Sequence, residues 1–149
     1  MAVYCVDMKD SSTIVPLDVK LLRRALKSLE IEAGPESNGY LGAAFPDAVA
    51  EFHVGKSVLG VRLISEQKKT TEDFTRLSKL ANALNSAAPY GKFLVKVEGD
   101  EVSVEYAHHI LLAEGVSHLQ LCTVLDAFLQ IGFGSLEALW GRFPEFEVK

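Results

Sequence analysis

The segment FLVKVEGDEVSVEYAHH, residues 93–109, places four carboxylates, Glu98, Asp100, Glu101 and Glu105, ahead of two adjacent histidines, His108 and His109. Carboxylates and imidazoles this close together are the raw material of a metal centre or an acid–base pair. Their spacing argues against both. Gly99-Asp100 stands between two alternating runs, a hairpin signal. A two-residue turn there sets Val97 against Val102, Val95 against Val104 and Phe93 against Tyr106, all on one apolar face. Glu98, Glu101, Ser103 and Glu105 then fall on the solvent side, with Lys96 diagonal to Glu105. Neighbours in a strand point to opposite faces, so His108 and His109 cannot grip one ion from an extended segment. His53 and His118 stand alone in sequence. All four histidines read as surface or half-buried residues.

No other arrangement supplies a reaction. The chain has no GxSxG, HExxH or GxxxxGK[ST] pattern. IGFG, residues 131–134, follows a helical pattern rather than a strand and lacks the lysine of a phosphate loop. Cys5 and Cys122 are far apart and outside any CxxC or Cys–His signature, which predicts two free thiols and a reducing, cytoplasmic setting. No catalytic residue, cofactor or metal is expected.

The chain's 149 residues, 48% of them hydrophobic, suffice for one domain with a proper core. Fifteen Lys and Arg against twenty Asp and Glu leave a net charge of −5, which argues against non-specific nucleic-acid binding. MAVYCVDMKD lacks the basic and apolar regions of a signal peptide, and no run of about 18 apolar residues predicts a membrane span.

The elements that must position these residues follow from periodicity. Residues 1–12 read as a loosely ordered segment ahead of a single domain, 13–149. PLDVKLLRRALKSLE reads as a helix, with Pro16 at its first position and Leu22, Ala25, Leu26 and Leu29 on one face. Strands YLGAAF, AVAEFHV and SVLGVRLIS follow. A turn at Gly55-Lys56 places Phe52 opposite Leu59 and Ala50 opposite Val61. QKKTTEDFTRLSKLANALNSAAP reads as a second helix, capped by Thr70 or Thr71. After the hairpin, Ser117 and Gln120 form a capping box for a last helix. Gly132 and Gly134 inside it imply a kink or the close approach of another backbone. The prediction is an α+β domain in the order α-β-β-β-α-β-β-α, with helices packed on a five-stranded antiparallel sheet.

With that order, the chain resembles the YbjN family of small bacterial proteins over roughly residues 13–142. The resemblance rests on LANALNSAAPYGKFLVKVEGDEVSVEYAHHILLAEGVSHLQLCTVLDAFL: an Asn late in the second helix (Asn85 or Asn82), a V-x-x-x-G-x-V hairpin, and a GVS lead into the last helix. It implies a fold similar to type III secretion chaperones, often dimeric. It carries no established catalytic residues. The family's usual label, sensory transduction regulator, names no mechanism.

The expected function is a non-catalytic protein-binding module, chaperone-like or a regulatory adaptor. The alternatives are a small-molecule-binding sensory domain or an enzyme with a scattered site. The expected partner surface is the second face of the sheet. There Tyr40, His53, Val58, Ile64 and Leu94 mix with Glu51, Arg62 and Lys96. The competing expectation is that the last helix or the N-terminal segment covers that face. Trp140 and Phe143 add aromatic bulk at the chain's end. This bulk predicts either a homodimer surface or a lid over the domain's open end.

Overall fold

The computed structural model describes residues 12–147. Asp18 opens helix α1, Val19–Ser28, its Oδ1 accepting the Leu21 N–H at 2.7 Å. Pro16 therefore lies two residues before the cap and not at the first helical position. The helix closes through Glu30 in the left-handed region, φ 62°, with the Ile31 N–H donating to the Leu26 carbonyl at 2.9 Å.

Three antiparallel strands follow: β1 (Tyr40–Ala44), β2 (Ala48–Val54) and β3 (Val58–Ser65). The β2–β3 register pairs Phe52 with Val61 and Ala50 with Leu63. It lies two residues from the register expected of a Gly55-Lys56 turn, because the connection is longer than two residues and Ser57 turns it with φ 66°. A shift of two preserves the faces, so the apolar set still points inward.

Residues Lys69–Thr70, expected in the second helix, instead form a short strand, β4, against Glu101 and Val102. These two residues also pair with the hairpin's first strand, so β4 lies on the other edge, continuing the line of β3. A 3₁₀ turn, Thr71–Asp73, leads into α2, Phe74–Ala87. Neither the turn nor the helix has a side-chain cap, so the Thr70 or Thr71 cap does not form. The hairpin, β5 (Lys92–Glu98) and β6 (Glu101–Leu111), has the expected register, Val97↔Val102, Val95↔Val104 and Phe93↔Tyr106. Its turn places Gly99 at φ 61°, as a type II′ hairpin requires of its first residue. The sheet runs β1-β2-β3-β6, with β5 on the far side of β6.

Helix α3, His118–Arg142, carries the expected capping box between Ser117 and Gln120. It is unbroken through Gly132 and Gly134. A Cβ on Gly132 would lie 2.6 Å from Leu63 Cδ1, so this glycine lets a side chain of the sheet in, not another backbone. Gly134 faces open space. With its trailing turn, α3 is long and apolar enough to cross a bilayer by length and composition. It is placed as a core helix, however: Phe128 stacks on Tyr106 of the sheet and Cys122 lies against Ala25 of α1.

Three expectations about single residues need correction. Ser103, expected on the solvent side, is buried. Glu105 does not lie on a wet face; it is only 4% exposed. Its strand is central, and its sheet neighbours are Ile64 on one side and Leu94 on the other. His118 is likewise buried, its Nε2 lying 3.1 Å from Ser28 Oγ and 3.5 Å from Cys122 Sγ. Cys122 is buried, whereas Cys5 lies outside the described residues, as does almost all of the expected N-terminal segment.

The C-terminal aromatics turn inward. Phe143 is buried, with the Arg76 guanidinium 4.0 Å from its ring centre. Trp140 is half-buried and donates from Nε1 to Ser65 Oγ at 2.9 Å. Arg76 also ties down the Phe143 and Phe146 carbonyls. This burial removes Phe143 from the exposed surface.

Candidate functional site

The described helices pack on the inner face of the sheet, so α3 does not cover the outer one. Register sorts the outer residues into rows. Tyr40, His53, Gly60 and His109 form one row across β1, β2, β3 and β6. Gly42, Glu51, Arg62 and Ala107 form the next. Val49, Ile64, Glu105 and Leu94 form the third. Gly60 in the middle of the first row and Ala107 at the β6 end of the second leave a hollow of about 220 Å³. Its floor is Gly60, Arg62 and Ala107, with Leu94 at one end.

The walls are imidazoles. The His53 ring stacks on Tyr40, centroids 4.1 Å apart, while its Cβ faces Gly60. The His109 ring approaches Gly60 from the other side, with Nε2 3.6 Å from where a Cβ would stand. His108, on the opposite face, stacks on Tyr90 at 4.1 Å. The adjacent histidines thus diverge, as strand geometry demands. Burial lowers the His108 pKa, with His109 acting in the same direction against a hydrogen bond at Tyr90.

Beneath the hollow an ion chain crosses four strands. Lys96 Nζ lies 3.2 Å from Glu105 Oε2, and Glu105 Oε1 lies 3.1 Å from Arg62 Nη1. Arg62 continues to Glu51 through Nε at 3.1 Å and Nη2 at 2.6 Å. Burial alone would lower the Arg62 pKa; the bond to Glu51 and the two carboxylate charges outweigh it and raise it. Two cations and two anions cancel. The guanidinium edge is largely spent on carboxylates, and what stays available to a visitor is its flat face.

Of the expected surface residues, the hollow gathers Tyr40, Glu51, His53, Arg62 and Leu94. Lys96 joins through Glu105. Val58 and Ile64 are half-buried on the same face, and Trp140 and Phe143 lie elsewhere. Sequence reasoning missed Glu105, Gly60 and His109. Glu105 could have been found from the excess length of β6 over β5, which calls for another strand beside it.

The described residues contain no cluster of three or more His, Cys, Asp or Glu side chains placed to hold a metal. The Cys122–His118–Ser28 contact has the residue types of a nucleophile and base. It lies between α1 and α3, with Ser28 half-buried, His118 3% exposed and Cys122 0% exposed.

No family model and no curated protein matches the chain. Among solved structures, the crystal structure of YbjN from E. coli, a protein with a suggested role as a transcription regulator, matches with a TM-score of 0.70. The match covers 87% of this chain and 97% of that one at 16% sequence identity. The chain has a YbjN-like fold.

Proposed function

We propose that this YbjN-like domain is a non-catalytic binding module, a chaperone-like or regulatory adaptor of the bacterial cytoplasm. It docks a protein partner on the outer face of its sheet, and the anchor is one aromatic side chain of that partner, received by the hollow over Gly60. The carrying observation is the hollow itself. At about 220 Å³ it is smaller than the roughly 300 Å³ at which small-molecule pockets begin, and it suits a single ring. Arg62 offers its flat face and His109 an edge, while the ion chain leaves no net charge to hold an anion. Buried aromatic anchors of this kind dominate the energetics of protein interfaces. The suggested regulatory role of E. coli YbjN supports a regulatory reading by analogy of fold alone.

Gly60→Val tests this. The new side chain fits the β-strand and meets only ordinary contacts at its Cβ, but fills the hollow. Partners captured from host extract by the wild-type protein should be lost by Gly60→Val at unchanged thermal stability. Indole titrated into the wild-type protein should shift the His53 and His109 ring resonances and leave those of His118 in place. Equal capture by both proteins, with no shift from indole, would remove the hollow from consideration.

A further inference from the structure

Among the described residues, strand β5 ends the sheet and its free edge is blocked at one position only. The Asn85 side chain reaches around from α2 and takes both backbone groups of Phe93, donating to its carbonyl at 3.0 Å and accepting from its N–H at 2.7 Å. Phe93 therefore points its N–H and C=O away from β6. By the alternation of an antiparallel ladder, so do Val95 and Val97. Neither has another strand beside it among the described residues. The side chain of Val97 lies on the inner face, opposite Val102, yet is 47% exposed. An apolar side chain on the helix side of an open edge, beside unspent backbone groups, is a template for another strand.

We infer that the occupant is a second copy of β5, paired antiparallel about a two-fold axis at Val97. In this register each Val97 exchanges two backbone hydrogen bonds with its copy, and the Gly99 N–H of one protomer meets the Val95 carbonyl of the other. Lys96 stands opposite Glu98 of the second protomer, twice, by symmetry. The alternative that pairs Val95 with Val97 sets Lys96 against Lys96, a repulsive arrangement. Asn85 marks where the pairing stops. The axis is normal to the sheet, so the two outer faces become one surface and both hollows open on the same side. This pairing stands independently of what the hollow binds.

Sedimentation equilibrium of the full chain, from a few to several hundred micromolar, should give a monomer–dimer equilibrium in the micromolar range, as a small interface implies. Glu98→Lys, at an exposed position, should weaken it by on the order of tenfold by turning both charge pairs repulsive. Amide exchange supplies the second readout. The Val97 N–H should gain protection as concentration rises, and the gain should vanish in Glu98→Lys. A monomer at every concentration, a dimer indifferent to Glu98→Lys, or Val97 protection independent of concentration would each overturn the inference.

Discussion

Replacing Glu105 by Gln keeps the shape of a side chain that is 4% exposed and removes its charge from between two cations. Two charge-assisted contacts weaken at once. Each such bond contributes about 1.5–3 kcal/mol when shielded, and breaking a fully buried pair costs about 3–5 kcal/mol. Here the partners are open: the Arg62 side chain is 34% exposed and that of Lys96 is 41%. Water and Glu51 take over much of what Glu105 supplied. The expected loss is therefore about 1.5–2.5 kcal/mol, below the buried limit and above the 0–1 kcal/mol of an exposed pair. Urea denaturation at pH 7 measures it, with Glu98→Gln as an exposed control within about 0.5 kcal/mol of wild type. The Glu105 loss should persist in 1 M salt, because shielded pairs are poorly screened. A loss equal to that of Glu98→Gln would mean that Glu105 lies on a wet face after all.

Acidification from pH 7 to 5.5 should lower the urea midpoint. Burial holds the pKa values of His118 and His108 below the ordinary 6.5, so the unfolded chain binds more protons below that pH and gains on the native state. His118, with Arg24 adding to its shift, should account for part of the slope. His118→Gln should then titrate less steeply, and an unchanged slope would count against its burial. Glu30→Gly should raise stability by about 0.5–1 kcal/mol by relieving a left-handed residue at the end of α1, measurable by calorimetry. Gly134→Ala should stabilise by about 1 kcal/mol through helix propensity. Gly132→Ala should destabilise instead, since its Cβ would stand 2.6 Å from Cδ1 of the fully buried Leu63. Like signs for the two alanines would contradict this placement of α3.

The β5–β6 hairpin was legible because its turn and both strands are contiguous, so parity alone fixes which residues pair. The capping box at Ser117 was legible for the same reason: it is satisfied within three residues. Glu105 was misplaced because alternation reports a face and not a depth. Its sheet neighbour Ile64 and its ion partner Arg62 lie on a strand distant in sequence. Lys69–Thr70 were read as helical because their pairing partner, residues 101–102, is equally distant. The hollow was half-legible. Its polar residues could be assigned to one face, but the emptiness depends on Gly60 falling between His53 and His109, and that needs the register of both neighbouring strands. Trp140 and Phe143 show the converse error: helix periodicity suggested surplus aromatics, whereas Arg76 and Ser65 engage them from elsewhere in the chain.

The order of strands also divides the molecule's folding. β1, β2 and β3 form a meander that closes on neighbours in sequence, and β5 and β6 form a tight hairpin. Among the described residues, backbone pairing between these two halves runs only along β6, against β3 and the two residues of β4. Each half forms by closing short loops, but the seam must bring together segments some forty residues apart, such as Ile64 and Glu105. The ion chain from Glu51 to Lys96 crosses that seam once: Glu51–Arg62 lies within the meander and Lys96–Glu105 within the hairpin, and only Arg62–Glu105 waits for the halves to join. Loop-closure entropy therefore makes the seam the expected late step in assembly.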